Sequence, residues 1–126
     1  MFKNTVKQRN LKKGRKLAEK ADEEYHHGHP KQAVFYYRKA ADLGDVRATY
    51  SLGYLTWRGE GTPKNLEKAF DIIVSAYNSK PKITAVRRDA AWVAHNIAME
   101  LGREDIADHW LQLAQKHDRR YRSRSS

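Results

Sequence analysis

The stretch Ala48–Tyr77, ATYSLGYLTWRGEGTPKNLEKAFDIIVSAY, limits what this chain can fold into more than any other. Its second half places Leu66, Ala69, Phe70, Ile73, Val74 and Tyr77 on one side of a helix, at the i, i+3, i+4, i+7 spacing of a buried face. Asn65 is positioned to cap that helix, and Pro63 precedes it where a missing N–H costs least. Upstream, Asp45 can cap a helix that carries Ala48, Leu52, Leu55 and Thr56 towards its partner. Gly59 and Gly61 end it, because glycine enters the left-handed region without a Cβ penalty. Gly53 falls inside this helix, where it costs about 1 kcal/mol against alanine; close approach of the partner helix would compensate. The stretch reads as a helical hairpin.

The flanking segments repeat the theme. Residues 1–9 show no clear period. A helix is expected from Leu11 to His26, with Leu11, Leu17, Ala18, Ala21 and Tyr25 towards the body and Lys20–Glu24 as an i, i+4 pair. A second follows from Lys31 to Leu43, ending at Gly44. After Pro81, Thr84 can cap a helix over Ala85–Leu101, which Gly102 ends. The last apolar period runs from Glu104 to Asp118, with acidic residues at its start and His117 at its end, both suited to the helix dipole. These are six helices joined by short loops, with no strand pattern.

The second helices of the three pairs align in columns. Ala33, Ala69 and Ala107 correspond, at spacings of 36 and 38. Tyr37, Ile73 and Leu111 form the next column, then Ala40, Ala76 and Ala114. Small residues recur where helices cross closely and large ones where a layer is filled. The fold class is therefore all-α, a short α-solenoid of three stacked antiparallel hairpins.

Composition narrows the function. A chain of 126 residues can bury a real core. With no cysteine, disulfides and thiolate metal sites are excluded. No apolar run approaches the ~20 residues of a membrane span, and the N-terminus has no secretory apolar core. A cytoplasmic protein without membrane contact is expected. The net charge of +10 is uneven: residues 1–20 carry +7, residues 115–126 carry +4 and the middle carries −1. Three regions follow: a basic N-terminal arm (1–10), a helical repeat domain (11–118) and a basic disordered tail (119–126). Lys12, Lys13, Arg15 and Lys16 near one end, with Arg119, Arg120 and Arg122 at the other, would suit nucleic acid, an acidic protein or an anionic surface; solvated termini with no partner are the plain alternative.

At Leu52–Ala69, LGYLTWRGEGTPKNLEKA, the chain resembles the Sel-one-like repeat, a relative of the tetratricopeptide repeat. The elements that carry the resemblance are Ala48, Leu52, Gly53, Gly59, Gly61, Pro63, Asn65, Ala69 and Ala76; YYRKAADLGD (36–45) resembles the end of a preceding repeat. Thr56 departs from the usual tyrosine, and Asn65 replaces a common aspartate. The outer hairpins lack the longer loop: ten residues separate Gly59 from Ala69, but five separate Gly28 from Ala33 and Gly102 from Ala107. The resemblance implies a right-handed superhelical stack, one full repeat between two degenerate ones, that binds protein partners on a concave face lined by the first helix of each pair. Carried over through Gly53, the groove residues are Arg47, Tyr50, Tyr54 and Arg58, followed by Trp92 and Asn96 in the third unit.

That stripe is basic and aromatic, the residue types of interface hot spots. It would suit an acidic peptide or a C-terminal carboxylate; core packing is the alternative for each tyrosine. Trp57 and Trp110 read as core or hairpin packing, Trp110 sharing a repeat column with Tyr36 and Ile72. GEGTPK lacks the spacing and the Lys-Ser/Thr of a phosphate loop, and no motif suggests a Ser-His-acid arrangement. His26, His27 and His29 lie close in sequence but have no converging partners elsewhere, so neither a metal nor another cofactor is expected. The expected function is a non-enzymatic adaptor, scaffold or small inhibitor, monomeric or weakly self-associating. Nucleic-acid association through the basic ends is the alternative.

Overall fold

In the computed structural model, which describes residues 5–125 and side chains as far as residue 119, six helices follow one another. They are α1 (Val6–His26), α2 (Pro30–Asp42), α3 (Val46–Arg58), α4 (Leu66–Asn78), α5 (Thr84–Glu100) and α6 (Glu104–Ser125). No strand occurs among the described residues. Three helices begin where a side chain takes one of the amides that a helix start leaves unpaired. Asp45 accepts from the Ala48 amide at 2.8 Å and Asn65 from the Lys68 amide at 3.0 Å. At the third, Thr5 accepts from the Gln8 amide while Gln8 accepts from the Thr5 amide, at 3.2 and 3.1 Å.

That reciprocal cap starts α1 at Val6, ahead of the Leu11 at which the apolar period begins. Residues 6–10 of the expected arm are thus helical; residues 1–4 lie outside the described residues. Thr84 is not a cap: it is the first residue of α5, and Ile83 precedes it without a side-chain bond to the helix. The backbone carbonyl of Ile83 instead takes the Arg87 amide at 2.9 Å. α6 continues to Ser125, past the Asp118 where its apolar period stops. No glycine or proline interrupts residues 118–125, and arginine is a good helix former. His117 is consequently no terminal residue. It is buried in mid-helix, with its Nε2 2.8 Å from the Tyr77 hydroxyl.

Each helix packs on the next in the chain, and α3 also meets α5. This nearest-neighbour order is that of a short all-α solenoid. The repeat columns are its seams. Ala33, Ala69, Ala107, Ala40 and Ala114 are fully buried, and Ala76 nearly so. Ile73 is also fully buried, Tyr37 is buried and Leu111 is half-buried. One core cluster joins α1, α2 and α3 through Ala21, Val34, Tyr37, Leu52 and Leu55. A larger one joins α4, α5 and α6 through Ile73, Tyr77, Ala94, Ile97 and Trp110. Trp110 is packing, as its column predicts, with its ring centroid 5.0 Å from that of Tyr77 and edge-on to it.

Two glycines fix how the central hairpin sits. A Cβ on Gly53 would lie 2.8 Å from Ile73, so α3 and α4 cross where only hydrogen fits. Gly61, in the α3–α4 loop, has φ +74°, and a Cβ there would lie 2.3 Å from the Pro30 carbonyl oxygen. The long loop therefore rests against the start of α2, backbone to backbone.

Candidate functional site

Seating the loop on α2 carries Glu60 to α1, where it accepts a hydrogen bond from the Tyr25 hydroxyl at 2.8 Å. Tyr25 marks one wall of a pocket of about 120 Å³ between α1 and α3. The rest of its lining is Tyr37 from α2 with Tyr50, Ser51, Tyr54 and Leu55 from α3. α1 and α3 have no direct packing comparable to that of α3 with α5, and Tyr37 of the intervening helix lies between them. Four tyrosines from three helices thus converge on one space. The Tyr37 hydroxyl donates to the Asp22 carboxylate on α1.

Three carboxylates bear on these rings. The hydrogen bond to Glu60 raises the Tyr25 pKa above its ordinary value, with burial adding to it and Arg58 opposing. Burial first, then the bond to Asp22, pushes Tyr37 up strongly, while a hydrogen bond with Ser51 pulls the other way. Tyr50 is pushed up to about 12, by burial and then by the charge of Asp89 on α5. All three phenols are therefore neutral across the physiological range.

The groove residues expected from the sequence divide into three groups. Tyr50 and Tyr54 come together, with ring centroids 6.3 Å apart, and both are half-buried. Each packs on the core and each lines the pocket. Arg47 and Arg58 are exposed at opposite ends of α3, about 16 Å apart at 1.5 Å per residue. Arg58 lies over the Trp57 ring, its guanidinium 5.5 Å from the centroid. Trp57 is half-buried and donates to Glu100 at 2.8 Å. Trp92 and Asn96 stand apart from the pocket. Trp92 packs on the α4–α6 core and donates to Asp118 at 3.0 Å, while Asn96 is exposed.

Tyr25, Tyr37, Asp22 and Glu60 were not among the expected site residues. Tyr25 and Tyr37 carry an apolar-face signal that assigns them to packing. Glu60 lies in a loop whose destination depends on the Gly61–Pro30 contact.

Among the basic residues, Lys12, Lys13, Arg15 and Lys16 are exposed on α1 and Arg119 is exposed on α6; the side chains of Arg120 and Arg122 lie outside the described residues. Lys20 meets Glu24 at 3.3 Å, the expected pair. His29 also meets Glu24, at 2.9 Å, and this bond leads the lowering of the Glu24 pKa. No three His, Asp or Glu side chains converge as metal ligands among the described residues. No described helix is long and apolar enough to cross a membrane.

Stacked antiparallel hairpins with aromatic residues gathered on a first helix define a helical-repeat protein. The family model of the Sel1 repeat matches residues 4–21, 23–45 and 46–72, more than half of the chain, and the chain belongs to that family. The first two matches together span α1 and α2, and the third spans α3 and most of α4. Sel1 repeats are generally protein–protein interaction modules. No curated protein matches the chain.

Proposed function

We propose that this protein is a non-catalytic adaptor, scaffold or small inhibitor acting in the cytoplasm. It holds a peptide or an acidic protein surface against a concave face made by α1, α3 and α5. The observation that carries this reading is the convergence of Tyr25, Tyr37, Tyr50 and Tyr54 on one pocket of that face. Tyrosine gives a large contact area with few rotors to freeze, and a hydroxyl at its edge. Arg47 and Arg58, exposed at the two ends of α3, are positioned to meet carboxylates of a bound partner.

The test is affinity capture with the wild type and with the double variant Tyr54→Ala/Arg58→Ala, followed by identification of what is retained. Partners held by the wild type are expected to be lost with the variant. Identical partners with both would remove the groove from the function.

A second reading is favoured by one observation: Lys12, Lys13, Arg15 and Lys16 are all exposed on a single helix. In it, the basic ends bind nucleic acid through phosphate contacts. It requires a salt-dependent shift of nonspecific DNA or RNA that disappears when those four side chains are made neutral. No shift at low salt would end it.

A further inference from the structure

The pocket between α1 and α3 has a polarity that its tyrosine content alone does not reveal. A tyrosine hydroxyl has one proton and two lone pairs. At Tyr25 the proton is directed to Glu60, and at Tyr37 it is directed to Asp22. Those two hydroxyls can therefore offer a ligand only lone pairs, of which Tyr37 already shares one with Ser51. The carboxylates beside them are acceptors with further capacity. The ring faces are electron-rich and attract cations. Leu55 adds an apolar wall. Asp89, whose charge acts on Tyr50, extends the acidic character towards α5, while Arg88 beside it (3.3 Å) and Arg58 at the other end oppose it. Thus a chain with a net charge of +10 carries a pocket in which two of the four tyrosine hydroxyls donate to carboxylates.

We propose that this pocket receives the side chain of a lysine from the partner peptide, its methylenes against Leu55 and the tyrosine rings and its ammonium towards Asp22 and Glu60. The inference deepens the peptide-groove reading and rests on it. An ammonium is a compact point charge with three donors on a four-carbon stem, which matches a small pocket of aromatic rings with carboxylates behind two of its hydroxyls. The carboxylates that meet Arg47 and Arg58 would flank that lysine in the partner. The pocket and the arginines therefore set a pattern: one lysine between acidic residues.

The test uses the whole chain and three small probes of similar size. n-Butylammonium, butan-1-ol and butyrate are titrated at constant ionic strength while the amide resonances of Tyr25, Ser51 and Tyr54 are followed. Butylammonium is expected to give saturating shifts at these positions, with no comparable response to the alcohol or the anion. The single variant Glu60→Gln, an exchange in a partly exposed loop, is expected to weaken butylammonium at least threefold, and Glu60→Gln with Asp22→Asn at least fivefold. Equal responses to the three probes, or unchanged butylammonium affinity in Glu60→Gln, would overturn the proposal.

A display library of short peptides separates this inference from the reading beneath it. Selected peptides with an invariant lysine, lost on exchange to glutamine, support both. Peptides that need Tyr54 and Arg58 but show no fixed lysine leave the groove reading standing and overturn the lysine. Butylammonium binding without any selected peptide overturns the peptide site itself.

Discussion

α3 meets its two neighbouring first helices in different ways. Towards α5 the two helices meet directly, and Tyr50 and Tyr54 of α3 pack on the core cluster that holds Ala90, Ala91 and Ala94 of α5. A small cluster of Val46, Ala76 and Val86, flanked by Tyr50 and Ile83, seals one end of that junction. Towards α1 the space is open. Tyr37 of α2 stands between the helices, and its hydroxyl is satisfied by Asp22 instead of being excluded. The same helix therefore has one side packed as core and one that borders a pocket. The difference comes from side-chain size and from where polar groups find partners. Alanines leave nothing to hydrogen-bond, whereas tyrosine hydroxyls must stay near carboxylates or water.

That contrast can be broken at either junction. The largest effect is expected from Trp110→Ala, which empties the middle of the α4–α6 core and should cost about 3–5 kcal/mol in denaturant unfolding. Butylammonium binding should persist in the protein that remains folded, because Trp110 lines no part of the pocket. A cost below about 1 kcal/mol would mean that the α4–α6 core is not tightly packed around Trp110.

Gly61→Ala comes next. It combines a left-handed φ with a clash against the Pro30 carbonyl and should cost about 2–3 kcal/mol. It should also withdraw Glu60 from Tyr25, so that the pocket loses affinity for cations while the resonances of α5 and α6 stay in place. An unchanged pocket would show that the loop does not position Glu60. Tyr37→Phe should cost less, about 1 kcal/mol, since it removes one hydrogen bond without changing the ring. Retained stability combined with altered Tyr25 and Ser51 resonances would mark Tyr37 as a site residue more than a core one.

The smallest effect is absent at neutral pH. Tyr50 and Tyr37 have folded pKa values above the ordinary value of about 10, so the unfolded chain loses these protons first. Their contribution is complete below pH ~10 and is lost as pH rises towards the Tyr50 value of about 12. Absorbance of tyrosinate followed against pH should show at least two of the seven tyrosines ionising late, together with alkaline unfolding. Ionisation of all seven near pH 10, with the fold intact, would contradict the burial of this junction.

Much of this architecture is legible in the residues. The alanine columns, the caps at Asp45 and Asn65 and the glycines after α2 and α3 depend on local geometry and period, and local rules read them well. The Thr5–Gln8 cap was equally legible as a Thr-x-x-Gln signature, yet the basic run around it hides it from a search for apolar period. The α6 extension has no apolar signal at all. Tyr50 and Tyr54 could be placed on one stripe from spacing alone, but their partners could not. Tyr25 is distant in sequence, and Glu60 reaches it only because Gly61 lets the loop touch Pro30.

The sequence by itself therefore determined the repeat: which helices form and which small residues let them cross. Only the tertiary structure decided that the aromatic stripe of α3 borders a pocket and that two of the pocket's tyrosines donate to carboxylates. Periodicity describes one helix at a time. The sign of a pocket instead depends on side chains from three helices and a loop, brought together by a backbone contact that no local pattern encodes.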